Sequence, residues 1–111
     1  MKIFTFSIPG KAVSKERPRR GRYGNFYTPQ RTQSFELRIH TGALQAGLKP
    51  LTNDNIGIGI CFYGQYGRSD IDNLVKSTLD GLKYFFNDNK VSFLTAKKIP
   101  SKEYSTKIKI W

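Results

Sequence analysis

Residues 56–63 (IGIGICFY) lead through a turn at residues 66–69 (YGRS) into residues 70–86 (DIDNLVKSTLDGLKYFF), and this stretch decides the fold. The isoleucines of the first segment alternate with glycines, as in a strand that packs closely on one face. In the last segment the apolar residues recur at helical spacing and form one stripe, namely Ile71, Val75, Leu79, Leu82 and Phe86. The stretch therefore predicts a strand followed by an amphipathic helix, which ends at the turn of residues 87–89 (NDN).

The flanking segments extend this pattern to an α+β domain. Strands are favoured at residues 2–8 (KIFTFSI), 91–98 and 104–111. A second helix is predicted to begin at Thr28-Pro29, a capping residue with proline at the first helical position, and to stop near Gly47. The residues of this region predicted to face the core are Phe35, Ile39, Leu44 and Leu48. The order strand, loop, helix, strand, helix, strand, strand indicates a single domain in which two helices pack on a mixed sheet.

The composition is that of one globular domain. The chain has 111 residues, of which 38% are hydrophobic, enough for one core but not for two. It contains no apolar run of about 20 residues, the length of a membrane span. Its first residues alternate like a strand and lack the small-residue cleavage site of a signal peptide. Cys61 is the only cysteine and cannot form an internal disulfide, so we expect a buried thiol in a cytoplasmic protein.

Positive charge is the strongest compositional signal. The chain has 19 lysines and arginines against 8 aspartates and glutamates, a formal net charge of +11. A polyanion would relieve the resulting self-repulsion, and nucleic acid is the commonest one. An anionic membrane surface is the less favoured alternative, since the sequence has no basic amphipathic helix. Charge alone does not distinguish an enzyme from a binding module.

Many of the cations lie in a segment without strand or helix periodicity, residues 11–28. We interpret it as a long basic loop, exposed and free to move when no ligand holds it. This loop and two cations outside it supply the predicted phosphate contacts, which are Lys11, Lys15, Arg17, Arg19, Arg20, Arg22, Arg31 and Arg68. Such contacts give affinity rather than sequence specificity. The alternative is a solvated loop that binds nothing.

Acidic residues are rare, and half of them lie in the predicted helix and the turn after it: Asp70, Asp72, Asp80 and Asp88. Asp70 and Asp72 flank Ile71 where the helix starts, so both carboxylates can turn toward one side. Gathered carboxylates attract Mg²⁺, a hard cation that activates water and stabilises phosphoryl charge in phosphodiester hydrolysis. Lys76, one helical turn beyond Asp72, is the predicted cation that stabilises the transition state.

Asp88 poses a geometric problem. A helix of about sixteen residues is about 24 Å long, so Asp88 lies at the far end of a straight helix from Asp70. Either the chain turns back or a second subunit supplies the contact, and the sequence leaves both open. Plainer roles also remain open: Asp70 and Asp72 as helix caps, Asp72 with Lys76 as an i, i+4 ion pair, Asp80 paired with Lys76 or Lys83, and Asp88 as a turn residue.

The residues from Asp70 to Lys76 (DIDNLVK) resemble the Asp-x-Asp-Asn-x-x-Lys helix of the RusA family of Holliday junction resolvases, and residues 79–82 (LDGL) resemble its Asp-x-Leu continuation. Residues 87–91 (NDNKV) are similar to the acidic turn of that family. The N-terminal block of phage-type members is similar to residues 8–11 (IPGK), 15–19 and 27–29 (YTP). Two positions depart from the family pattern. The family often has two consecutive acids at the turn, whereas here Asn87 precedes Asp88. The family often has arginine immediately before the first aspartate, whereas here that position is Ser69 and Arg68 lies one place earlier.

The resemblance implies a homodimeric crossover junction endodeoxyribonuclease, a two-layer α+β sandwich spanning residues 1–111. Such an enzyme cuts four-way DNA junctions by paired incisions in DNA recombination and repair, and it is encoded by bacteria or phages. The resemblance implies Asp70, Asp72 and Asp88 as metal-binding catalytic acids and Lys76 as the catalytic cation. It implies magnesium as the cofactor, which manganese can replace. Two alternatives remain: a basic nucleic-acid-binding module without catalysis, and a nuclease that acts on flaps or forks.

Overall fold

The computed structural model describes residues 3–15, 19–21, 24, 26–27 and 29–111, with the backbone alone for residues 19, 20, 26 and 27. In chain order, the elements are β1 (Phe4–Pro9), β2 (Arg19–Arg20), β3 (Phe26–Tyr27), α1 (Gln30–Gln45), β4 (Ile56–Tyr63), α2 (Ile71–Gly81), a 3₁₀ turn (Asp88–Lys90), β5 (Val91–Ile99) and β6 (Ser105–Ile110). The stretch quoted first, from residue 56 onward, therefore forms the predicted strand (β4) and the predicted helix (α2).

Four strands form one sheet in the order β1-β6-β4-β5. β4 pairs antiparallel with β6 and parallel with β5, so α2 is the crossover between two parallel neighbours. β1 and β5 are the two edges of this sheet. β2 and β3 pair with each other in a separate two-stranded ladder. The mixed sheet and its two helices confirm the predicted α+β fold.

Both helices pack on one face of the sheet and enclose the core. The β4 residues that face the helices are at most 1% exposed: Ile56, Ile58, Ile60 and Phe62. Phe35 and Ile39 of α1 and Leu74 of α2 are buried to the same degree. The two helices touch at Gly81, where an added Cβ would lie 2.7 Å from Ile39 Cβ. Alternation along the strands leaves the opposite face of the sheet without a covering helix in the described part of the chain.

Three predicted details are wrong. α1 buries Thr32, Phe35, Ile39 and Ala43, a stripe that leaves Leu44 49% exposed. α2 ends at Gly81 rather than at Phe86, because the chain turns there and buries Leu82, Phe85 and Phe86 outside the helix. Cys61 is a free, half-buried thiol, since its position on β4 faces away from the core.

No helix among the described residues has both the length and the apolar character needed to cross a membrane.

The described part of the basic segment includes regular structure and contacts with the domain. β2 and β3 lie within it, and its first residues are docked against the domain. Ala12 is 3% exposed, and its N–H donates to Tyr66 Oη over 2.8 Å. Burial raises the pKa of the Tyr66 phenol, although this hydrogen bond opposes the shift. The Lys15 N–H donates to the Asn73 carbonyl in α2 over 2.9 Å. Lys11 is exposed as predicted, whereas residues 12–15 are more buried than predicted. For residues 16–18, 22, 23, 25 and 28 the prediction lies outside the described residues.

Candidate active site

Asp70 and Asp72 lie two residues apart, where the turn after β4 leads into α2. Asp70 is the residue before the helix, with extended backbone angles (φ −70°, ψ 125°), and its side chain makes no capping hydrogen bond. Asp72 lies in the first turn, where its Oδ1 accepts the Asn73 N–H over 3.0 Å. Both side chains are exposed. The capping alternative is therefore wrong for Asp70, and Asp72 uses only one of its carboxylate oxygens.

Lys76 is on the same helix, one turn beyond Asp72. Its side chain is exposed. No ion pair between described residues includes Asp72 or Lys76, so the alternative interpretation of these two residues as an i, i+4 ion pair is wrong. An ammonium that is not neutralised inside the chain is suited to a phosphate oxygen.

Asp88 lies at the other end of the domain from Asp70. It begins the 3₁₀ turn that leads into β5, and the start of β5 pairs with the start of β4. Asp70, by contrast, follows the end of β4. The described residues contain no group of three or more His, Cys, Asp or Glu side chains that could hold a metal ion. One chain therefore does not bring Asp88 to the two carboxylates at the start of α2.

Asp80 has a structural role. Its side chain is only 9% exposed, and its carboxylate pairs with Lys15 over 2.9 Å and with Lys83 over 3.5 Å. Of the alternatives weighed for Asp80, the pair with Lys83 is confirmed. The stronger partner, Lys15, lies 65 positions earlier, and no local sequence pattern identifies it.

Lys15 is held inside the chain by two carboxylates. Its ammonium also contacts Glu36 in α1 over 3.2 Å, and its side chain is 17% exposed. Burial disfavours its charged form, but the hydrogen bonds and charges of Asp80 and Glu36 outweigh burial and raise the pKa of Lys15. We therefore leave Lys15 out of the proposed DNA contacts, where the sequence had placed it.

The other predicted phosphate contacts are described to different extents. Arg17 and Arg22 lie outside the described residues, and Arg19 and Arg20 are described as backbone only. Three cations are exposed: Lys11, Arg31 and Arg68. Lys11 places its ammonium 5.5 Å from the centre of the Tyr104 ring. The contacts of these residues with DNA stay a prediction.

The donors at the start of α2 fit a hard divalent cation. Mg²⁺ prefers carboxylate oxygens and keeps part of its shell for water and phosphate. Asp70 and Asp72 offer such oxygens at an exposed position, with the Lys76 ammonium one turn away. Two of the three predicted ligands are thus contributed by one segment of chain.

The chain matches the family model described as Endodeoxyribonuclease RusA over residues 9–111. The protein belongs to the RusA family. The match spans nearly the whole chain and includes α2, the turn of Asp88 and the segment of Lys15. RusA proteins are endodeoxyribonucleases, hydrolases of DNA phosphodiesters, and they generally depend on a divalent metal. A search of curated proteins gave no match.

Asp80→Asn is expected to destabilise the RusA fold without removing a catalytic group. It takes from the mostly buried Lys15 ammonium its closest carboxylate, at a cost of about 1–3 kcal/mol. Because its pKa is raised, Lys15 keeps its stabilising charge below its ordinary pKa of 10.5 and loses it only as the pH rises through the raised value.

Urea unfolding at neutral pH measures this loss. Lys83→Gln is the matched control, since Lys83 contacts the same carboxylate but is 67% exposed; its expected change is below about 0.5 kcal/mol. Equal stability of both variants would show that the Lys15 pair does not stabilise the fold.

Proposed function

We propose that this protein is a magnesium-dependent endonuclease that resolves four-way DNA junctions by paired phosphodiester hydrolysis. The observation that supports this best is the exposed set Asp70, Asp72 and Lys76 at the start of α2. The chain has a net charge of +11, and among the described residues no ion pair involves Asp70 or Asp72. A divalent ion bound to these carboxylates would remove their repulsion of a phosphate. We further propose residues 1–111 as one nuclease domain.

Each of the three residues has a task in the hydrolysis. The carboxylate oxygens of Asp70 and Asp72 hold the ion and accept hydrogen bonds from the attacking water. When bound there, a divalent ion would supply Lewis-acid activation of that water and would neutralise phosphoryl charge. The Lys76 ammonium donates to a non-bridging oxygen of the scissile phosphate and stabilises the added charge in the transition state. The cations proposed to hold the flanking phosphates are Lys11, Arg17, Arg19, Arg20, Arg22, Arg31 and Arg68.

We propose that a second copy of the chain supplies Asp88. β5 is an edge strand of nine residues, and Phe93 and Leu94 in it are 54% and 46% exposed. A long edge strand with exposed apolar residues is a template for pairing with another chain. In a two-fold dimer, equivalent edge strands run antiparallel.

The antiparallel arrangement brings Asp88 of one copy to the end of the strands at which Asp70 of the other copy lies. The start of one β5 then lies beside the end of the other, and Asp88 lies three residues before that start. At the end of β5, Lys98 Nζ donates to the carbonyls of Gly67 (3.2 Å) and Ser69 (2.8 Å), the residues that lead into Asp70. Asp88 of one copy therefore approaches Asp70 and Asp72 of the other. The dimer has two such sites, as the near two-fold symmetry of a four-way junction requires.

Cleavage of a set of labelled DNAs tests the function. A four-way junction, a flap, a fork and a linear duplex are each incubated with the protein and magnesium, or with a chelator. We expect symmetric paired cuts in the four-way junction, only with magnesium. Binding without cleavage would favour the non-catalytic module and overturn the nuclease. Faster cleavage of flaps or forks would keep the nuclease and replace the proposed substrate.

Leu94→Arg is expected to weaken dimerisation at least tenfold. The substitution puts a charge where two apolar edge strands meet, and two arginines would face each other across the two-fold axis. Sedimentation at low micromolar concentration measures the change. Leu37→Arg is the control, because Leu37 on α1 is also an exposed leucine, at 63%, and lies away from the β5 edge. An unchanged dimer in the Leu94 variant would reject the β5 interface.

A further inference from the structure

The sheet has a second face, opposite the helices, that the proposed active site does not use. Pairing aligns its side chains in rows that cross the strands. In one row Lys107 and Lys97 lie on either side of Cys61, and in the next Lys109 and Thr95 lie on either side of Gly59. We call Lys97, Lys107 and Lys109 the lysine face. Cys61 and Gly59 are small, so the lysines border a groove of about 290 Å³.

The lysine face has no compensating negative charge in its strands. β1, β4, β5 and β6 contain no aspartate or glutamate. Among the described residues no ion pair involves a lysine of this face. Adjacent strands are about 4.8 Å apart, so Lys97 and Lys107 approach within about 10 Å of each other across Cys61. Like charges at this distance are destabilising, which an anionic partner would reverse.

One end of the groove is aromatic. Trp111 and Phe93 have ring centres 5.7 Å apart, and Lys109 Nζ lies 6.0 Å from the centre of the indole. The indole lies on the backbone of β4 at Gly57, where an added Cβ would be 2.3 Å from Trp111 Cε2. The glycine is therefore required for the indole to occupy the end of the groove. A cationic groove that ends on aromatic rings is typical of surfaces that bind nucleic acid.

We propose that the lysine face is a second DNA-binding surface, on the side of the sheet away from α2, which holds the phosphate backbone of another part of the substrate. This inference rests on the proposed action on branched DNA. Charge favours DNA over a second copy of the chain, because two lysine faces would repel each other. A four-way junction has arms that diverge from the cut, and contacts on both sides of the sheet reach more than one of them.

Binding measurements in a chelator, where no cleavage occurs, test the lysine face. Lys97, Lys107 and Lys109 are changed together to Gln, and affinity for the four-way junction is followed against salt. We expect about tenfold weaker binding or more, and a salt dependence reduced by about 0.9 in log–log slope for each lysine that neutralises a duplex phosphate. The control changes Lys49, Lys83 and Lys102 to Gln, which removes the same charge from exposed positions elsewhere.

The outcomes separate this surface from the proposed active site. If the lysine variant and the control lose affinity equally, the lysine face is not a DNA surface. If the loss is confined to vesicles containing phosphatidylserine and DNA binding is unchanged, the surface serves a membrane and the proposal is overturned. Cleavage by the wild type at saturating protein tests the active site alone, so its absence contradicts the nuclease and leaves the binding result standing.

Trp111 gives an independent readout, because it is the only tryptophan and it borders the groove. Adding the four-way junction is expected to quench its fluorescence in the wild type, with a midpoint at the binding constant. In the lysine variant the quenching is expected to need at least tenfold more DNA. Unchanged emission of the wild type at saturating DNA would contradict the proposed surface.

Discussion

Asp72→Asn is expected to lower metal-dependent cleavage of a four-way junction at least a hundredfold, which corresponds to about 2.7 kcal/mol of lost transition-state stabilisation. The amide keeps the size of the side chain and can still accept the Asn73 N–H, so the start of α2 is preserved. It removes the negative charge that attracts a divalent ion. Binding of the junction in a chelator is expected to be equal or tighter, because one repulsive charge near the phosphates is gone.

The contrast between cleavage and binding identifies the role of Asp72. Glu103→Gln is the charge-matched control, an exposed acid in the turn before β6, and it is expected to leave cleavage within about twofold of the wild type. A binding module without catalysis would show no metal-dependent cleavage in either the wild type or the Asp72 variant. Full activity of the Asp72 variant would exclude the site proposed at the start of α2.

Mixing two inactive variants is expected to restore cleavage. Asp72→Asn and Asp88→Asn each damage both sites of their own homodimer. In a mixed dimer, the site built from Asp70 and Asp72 of the Asp88 variant receives the intact Asp88 of the Asp72 variant. Random exchange makes about half of the dimers mixed, each with one intact site of two. We therefore expect about a quarter of the wild-type nicking rate, with few paired cuts.

The control mixture decides whether the rescue reports a shared site. Asp70→Asn and Asp72→Asn alter the same half of the site, so their mixed dimers contain no intact site and are expected to remain inactive. Subunit exchange is checked by co-purification of differently tagged chains. Exchange without rescue in the first mixture would show that Asp88 acts within its own chain or not at all.

Local sequence was sufficient where the information is local. The alternation in residues 56–63 and the helical spacing from Ile71 to Leu79 gave β4 and α2, since each depends on which side chains face one neighbouring layer. Leu44 shows the limit of that signal. The sequence places apolar residues along α1, but the face that contacts the sheet is set by Phe35, Ile39 and Ala43, so the assignment of Leu44 to the core was wrong.

The pair of Lys15 and Asp80 could not be predicted from spacing. The two residues meet because the chain after β1 returns along α2, where Lys15 N–H binds the Asn73 carbonyl. In the sequence, Lys15 is one cation among many in a basic segment, and Asp80 is one acid on a helix with lysines at ordinary distances. Only the packing of that segment between α1 and α2 selects one partner for each.

By itself, the sequence determined the α+β class, the family motif on α2 and the candidate set Asp70, Asp72 and Lys76, because residues within two helical turns stay close together in any fold that keeps the helix. Tertiary structure decided the rest. The parallel pairing of β4 and β5 places Asp88 and Asp70 at opposite ends of the strands, and the strand order leaves β5 at an edge of the sheet. Strand order and strand direction depend on contacts between distant segments, which no local pattern encodes.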